Sequence, residues 1–278
     1  MPLAKSNGRV LENGTGTGLV AALLCELLGA EKVTSVEIDP QVAAHAAKSL
    51  ADVGCRPTLV VGNGSSADPP GSPFARIINT FSVCPVPYSL IRQSEPGGII
   101  VTPYAPGLKG GRLLKLVVGD DGTAQGSFVG DAHFMRDRTQ KPPPAPEVDM
   151  ADGREEPSEL NPRTIVDDFE ACAVVGMFMP GARLTSKTMA LEENSWAGIR
   201  FWLNTPDGSW CCVDWDADDP EGPYECGQYG PRNLWDEAVV IYQNWLQAGK
   251  PERKRFGLRM TEAEQQITLD GVPAAWAM

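Results

Sequence analysis

The sequence is poor in the residues that most acid–base and metal chemistry depends on. Only two histidines occur among its 278 residues, His45 and His133. Seven cysteines are present, and none stands in a C-x-x-C pair. With so few nitrogen ligands and no thiol pairing, no zinc site is indicated, and no metal is expected. An odd cysteine count with no framework spacing fits a reducing compartment. Cys25, inside an apolar helical run, reads as a small buried apolar residue.

Positive charge is also scarce, with 24 basic residues against 36 acidic and a net charge of -12. No long basic run offsets that balance, so neither a nucleic-acid duplex nor an anionic membrane fits as the main partner. No apolar run reaches 18 residues, and Met1–Gly8 carries no apolar signal core. The expectation is a soluble cytoplasmic protein. Apolar residues make up 42% of the chain, near the globular norm, and the length suits one large domain or two medium ones.

What is present is concentrated between Arg9 and Asp39. Arg9-Val10-Leu11-Glu12-Asn13 reads as a buried strand and Gly14-Thr15-Gly16-Thr17-Gly18 as a tight loop. From Leu19 the chain reads as a helix, with Val20, Leu23, Leu24, Leu27 and Leu28 on one face and Gly29 at its end. Val33–Ile38 is a second strand carrying Glu37 near its end. Glycines let backbone approach a ligand, the helix N-terminus favours an anionic group, and a carboxylate at the next strand end suits ribose hydroxyls. A dinucleotide and S-adenosylmethionine both satisfy these features, and Gly16–Ala21 even matches the dinucleotide pattern.

Further along, Asp39-Pro40 starts a helix running to about Val53. Thr58–Val61 is a third strand ending in Gly62-Asn63-Gly64; a fourth centres on Ile77-Ile78 and a fifth on Ile99-Ile100-Val101. Pro87–Gln93 reads as a short helix, and Leu113–Val118 with Gly126–Val129 as a late antiparallel pair. A proline-rich stretch, Lys141–Glu147, marks a linker. The expected division is residues 1–140 as the cofactor-binding domain, 141–163 as linker and 164–278 as a smaller α+β domain that would bind peptide. In that second part, strands are expected at Ala173–Phe178, Ile199–Leu203 and Cys211–Trp215, a helix at Asn233–Ala248, and a closing strand pair at Phe256–Arg259 and Gln266–Leu269. His45 and His133 read as structural, the acidic run Asp214–Glu221 as a solvated turn, and Trp196, Trp202, Trp210 and Trp215 as core.

Taken together, Val10–Gly18, Val36-Glu37-Ile38-Asp39-Pro40, Val61-Gly62-Asn63-Gly64, Arg76-Ile77-Ile78 and Glu95-Pro96-Gly97-Gly98 resemble the protein-L-isoaspartate O-methyltransferase family, which uses S-adenosylmethionine. The segment Gln228–Glu237 resembles the C-terminal extension of actinobacterial relatives, some of which act in ribosomal-peptide maturation. Glu12 and the Gly62-Asn63-Gly64 and Pro96-Gly97-Gly98 turns weigh against a nicotinamide enzyme.

The resemblance implies an α/β fold: a Rossmann-like class I methyltransferase sheet with helices on both faces, followed by the smaller α+β domain. It implies S-adenosylmethionine as cofactor and methylation of an aspartyl or isoaspartyl carboxylate in a protein or peptide. Such an acceptor is already ionised at pH 7, so no Ser/His/Asp set is required. The implied cofactor residues are Glu12, Gly14, Thr15, Gly16 and Gly18, then Glu37 and Ile38, then Gly62, Asn63 and Gly64. Asn63 stands where the family has aspartate, and Asn13 where it has a branched apolar residue. Thr80 and Ser82, after the fourth strand, stand where an acceptor is oriented. The family has several dozen residues before its first sheet strand, with a Ser and Gln-Pro segment that helps hold the substrate. Here that strand begins about eight residues from Met1, so the expectation is a chain without that segment. The alternative is a degenerate or truncated methyltransferase domain serving as a peptide-binding scaffold.

Overall fold

The structure is a computed structural model, and it describes residues 8–66, 68–140, 153–190 and 196–276. The proline-rich stretch Lys141–Glu147 and the side chain of Trp196 lie outside the described residues.

Five parallel strands form the first part of the main sheet: β1 Val10–Asn13, β2 Val33–Glu37, β3 Thr58–Val61, β4 Phe74–Asn79 and β5 Ser94–Tyr104. Their spatial order is β3-β2-β1-β4-β5. The chain builds outward from β1 through α1 (Leu19–Leu28) and α2 (Pro40–Asp52), then returns to the other side of β1, where the short helix α3 (Ser89–Arg92) joins β4 to β5 within the expected Pro87–Gln93. That reversal, between β1 and β4, is where open α/β sheets bind ligands at the carboxyl ends of their strands. β1 and β2 are buried at every position and β4 at most of them, as strands covered on both faces require. Val10, Leu11, Val33, Val36, Phe74, Ile77 and Ile100 are all buried.

α2 begins as expected, with the Asp39 carboxylate accepting from Gln41 N at 2.9 Å and Val42 N at 3.3 Å, and proline at its first position. The buried face of α1 differs from the expected one. Ala21, Leu24 and Cys25 are buried, whereas Leu19, Leu23 and Leu27 are exposed. Every residue of α1 but Glu26 is apolar, so a helical period can be drawn through several faces, and only packing selects one.

β6 (Arg112–Val118) and β7 (Ala124–Asp131) continue the sheet antiparallel beside β5. Beyond β7 come β13 (Phe256–Met260), β14 (Gln265–Leu269) and β15 (Val272–Pro273), completing ten strands. The closing strand pair therefore belongs to the first sheet, not to a separate C-terminal domain. Phe256, Leu258 and Met260 are buried, and Gln265 Oε1 accepts from Val86 N at 3.0 Å. β7 offers an open edge that this pair covers with main-chain hydrogen bonds. One compact unit comprises residues 1–104, 112–137 and 254–273; the other comprises 105–111, 138–253 and 274–278.

The second unit has its own five-stranded antiparallel sheet, ordered β8-β12-β11-β10-β9, from β8 Arg154–Glu155, β9 Arg183–Ala190, β10 Trp196–Asn204, β11 Trp210–Asp216 and β12 Cys226–Tyr229. Its helices are α4 (Arg163–Val166), α5 (Phe169–Phe178) and α6 (Leu234–Gln247), with α5 packed on α6. The expected strand at Ala173–Phe178 is the body of α5. Ala171 to Phe178 are buried all round the helix, so no amphipathic period marks it. Its start is set by Asp168, whose carboxylate accepts from Glu170 N at 2.9 Å and Ala171 N at 3.1 Å.

Candidate functional site

The site is built where β1, β2 and β4 end. Parallel pairing sets Glu12 of β1 opposite Ser35 of β2, and Asn13 opposite Asn79 of β4. Ser35 Oγ donates to Glu12 Oε2 at 2.6 Å, and Thr15 Oγ1 lies 2.6 Å from Ser35 Oγ. Glu12 is fully buried, and its other oxygen, Oε1, has no hydrogen-bond partner. Burial pushes the Glu12 carboxyl up to about 7; the nearby Glu37 charge adds to the rise, while the Ser35 hydrogen bond opposes it. A buried carboxyl oxygen without a donor is costly, and its placement beside the glycine loop suits a cationic ligand group.

The loop after β1 closes on itself and on β2. Gly14 N donates to Val36 O at 2.8 Å, and Gly18 N to Thr15 O at 2.9 Å. Gly14 has φ +95°, and a Cβ there would lie 2.4 Å from Thr80 Oγ1; only glycine fits. Gly16 N donates to Glu37 Oε2 at 2.9 Å, and Asp39 N to Glu37 Oε1 at 3.1 Å. The Glu37 carboxylate, 7% exposed, is thus tied to both the loop and the start of α2. Gly18 begins α1 with no side-chain cap, so the first-turn N–H groups behind the loop have no capping side chain.

Beside Glu37, Gly62 N donates to Glu37 O at 2.9 Å, bringing the turn after β3 alongside. Asn63 Oδ1 accepts from Ser65 N at 2.9 Å, so its carbonyl shapes the turn. Gly64 is buried against Asn13: a Cβ there would come within 2.7 Å of Asn13 Oδ1. Ile38 is partly exposed next to Glu37. All ten expected cofactor residues therefore come from the carboxyl ends of β1, β2 and β3, on one edge of the sheet.

Thr80 lies beside the glycine loop and Ser82 beside the segment after β7, and the hydroxyls of both are directed to backbone carbonyls. Thr80 Oγ1 bonds Gly14 O at 2.6 Å and Asn13 O at 3.1 Å. Ser82, 1% exposed, bonds Phe134 O at 3.2 Å and Met135 O at 3.3 Å. Their geometry is that of positioning residues, the first holding the glycine loop and the second a segment after β7. The pattern-based reading missed a polar relay across β1, β4 and β5. Asn13 Nδ2 donates to Asn79 Oδ1 at 3.0 Å, and Asn79 Nδ2 to Thr102 Oγ1 at 3.0 Å. The signal is present as polar residues inside buried strands, Asn13 among them, which stands where the resembled family has a branched apolar residue. His45 and His133 are exposed.

In the second unit, a separate concavity of about 450 Å³ lies between Glu156–Leu160 and α6. Trp235, Val239 and Val240 give it an apolar floor, and Glu156, Glu159 and Asp236 give it carboxylates. It shares no residue with the glycine loop. Among the described residues there is no cluster of histidine, cysteine and carboxylate that could hold a metal, and no helix is long and apolar enough to cross a membrane.

Residues 3–135 match the family model described as protein-L-isoaspartate (D-aspartate) O-methyltransferase. A protein-L-isoaspartate O-methyltransferase of Methanoculleus marisnigri is 44% identical over 103 residues, which is 37% of this chain and 46% of that protein. One from Pyrococcus horikoshii is 33% identical over 132 residues, 47% of this chain and 60% of that protein. The chain spans about half the length of such curated relatives. A solved protein-L-isoaspartate O-methyltransferase superposes with a TM-score of 0.51 at 21% identity, over 96% of this chain and 77% of that one, which establishes a shared fold.

Proposed function

We propose, from the match of residues 3–135 to the protein-L-isoaspartate O-methyltransferase family model, that this chain binds S-adenosylmethionine and transfers its methyl group to the free carboxylate of an aspartyl or isoaspartyl residue. The observation that carries the reading is the pair of carboxyl groups around the glycine loop. Glu12 presents a buried oxygen with no donor, which fits the cofactor's α-ammonium. Glu37, anchored by Gly16 N and Asp39 N, keeps lone pairs for ribose hydroxyls. The uncapped start of α1 suits the cofactor's own carboxylate. Ile38 and the Gly62-Asn63-Gly64 turn stand beside Glu37 for the adenine.

When bound, the cofactor supplies an electrophilic methyl carried on a positively charged sulfur. The chain's residues bind, align and exclude water; none of them needs to move a proton, because the acceptor carboxylate is ionised at neutral pH. Thr80 holds the loop backbone from the β4 side, so that the cradle is formed before the ligand arrives.

The finer reading is that the acceptor sits in a peptide, of the kind matured after ribosomal synthesis, and that the second unit holds part of it. The concavity on α6, with its apolar floor and carboxylate rim, supports that role. The test is incubation of the chain with S-adenosylmethionine and an isoaspartyl peptide, read by mass spectrometry. A base-labile methyl ester on the isoaspartyl residue is expected. Recovery of the unmodified peptide, with S-adenosylhomocysteine bound by the same preparation, would contradict transfer to this acceptor.

A further inference from the structure

The segment after β7 is held against the first unit's binding edge in a way its sequence does not announce. Ser82 N donates to Met135 O at 2.8 Å, and Asp137 N donates to Ser82 O at 2.8 Å. These two bonds set Arg136 opposite Ser82, in a single parallel bridge. The Ser82 hydroxyl adds bonds to Phe134 O and Met135 O. Ser65 Oγ donates to Asp137 Oδ2, which ties the same segment to the turn after β3. The segment thus links the loop after β4 to the loop after β3, the two loops that flank the glycine cradle.

What it presents is unusual for a surface stretch. Phe134 is 50% exposed and Met135 86% exposed, two large apolar side chains side by side with Arg136. The Arg136 charge is close enough to Cys84 and Tyr104 to oppose the rise that burial imposes on both. Tyr104 is the last residue of β5, and Val83 bridges to it. Arg136 therefore lies over the carboxyl ends of β4 and β5, on the side of the switch point away from Glu37.

A carboxylate acceptor meets an electrostatic obstacle on this protein. The chain carries a net charge of -12, and the cofactor cradle already holds Glu12 and Glu37. A local cation is needed to bring a third carboxylate close, and a guanidinium is the side chain whose planar fork matches a carboxylate best. We infer that Phe134–Asp137 forms the acceptor wall of this pocket, and that the Arg136 guanidinium receives the acceptor carboxylate while Phe134 and Met135 contact the residues flanking it. The inference rests on the methyl-transfer reading and names the group that selects its substrate.

The test is equilibrium binding of a fluorescent isoaspartyl peptide and of its isoasparaginyl counterpart, in which an amide replaces the carboxylate. Both are titrated into protein saturated with S-adenosylhomocysteine. The wild type is expected to prefer the carboxylate by about tenfold or more, as a charge-assisted pair predicts. Arg136→Gln is expected to remove that preference while leaving the amide peptide's affinity and S-adenosylhomocysteine binding unchanged. A glutamine variant that keeps the preference, or a wild type that binds the homocysteine product but shows none, overturns the inference and leaves the cofactor reading intact. A wild type that binds no S-adenosylhomocysteine overturns the methyl-transfer reading itself, and this inference with it. Should Arg136→Gln fail to bind the product, Arg136→Met decides, since it keeps an unbranched side chain and removes the charge: a lost carboxylate preference supports the inference, and an undiminished one contradicts it.

Discussion

Glu12 is a carboxyl group placed where water does not reach, with one oxygen bonded to Ser35 and the other to nothing. Its native pKa of about 7 lies above the ordinary 4.5. Between those two values the unfolded chain releases a proton that the folded chain keeps, so stability falls as pH rises through that window. The expected outcome is that Glu12→Gln flattens this part of the pH–stability profile and stabilises the ligand-free chain above pH 7 by roughly 2–3 kcal/mol. Urea unfolding of both proteins from pH 4.5 to 8 measures it. A variant no more stable than wild type at pH 8 would show that burial of this group carries no penalty. Gly14 makes the opposite case. With φ +95° and Thr80 Oγ1 2.4 Å from where a Cβ would stand, Gly14→Ala is expected to cost about 2–4 kcal/mol and to weaken ligand binding, measured by the same unfolding experiment. At this scale the placement of the glycines, Glu12 and Glu37 at neighbouring strand ends is legible in the sequence, because strand ends and glycine turns are local signals. The roles of Thr80 and Ser82 are not, since a hydroxyl's partner is set by which distant carbonyl the fold brings to it.

Elements were legible where a boundary is chemical and illegible where the only signal is period. Asp39-Pro40 announces α2, and the structure begins it there. α1 and α5 are apolar on nearly every side, so pattern alone gave α1 the wrong buried face and read part of α5 as a strand. Burial now distinguishes neighbours within α1: Leu24 is 7% exposed and Leu27 67%. Leu24→Ala is expected to cost about 2–4 kcal/mol, and Leu27→Ala less than about 0.5 kcal/mol. Equal losses in thermal or urea unfolding would mean that the second leucine is covered.

The whole molecule is divided by sheet membership rather than by position along the chain. The proline-rich stretch suggested a cut near residue 140, and short-range signals cannot reveal that strands more than a hundred residues later return to β7. Without β13–β15, the β7 edge and the groups around Val86 lose their partners. A fragment of residues 1–140 is therefore expected to be aggregation-prone or unfolded, judged by size-exclusion chromatography and circular dichroism. A monomeric, cooperatively folding fragment would show that the returning strands are dispensable.

Calorimetric titration of the full chain with S-adenosylhomocysteine tests most directly whether the glycine loop and Glu37 hold S-adenosylmethionine. Wild-type protein is expected to bind with Kd on the order of micromolar, and Glu37→Ala to lose about tenfold or more. An absence of binding in the wild type, or equal affinity in the variant, would contradict the account.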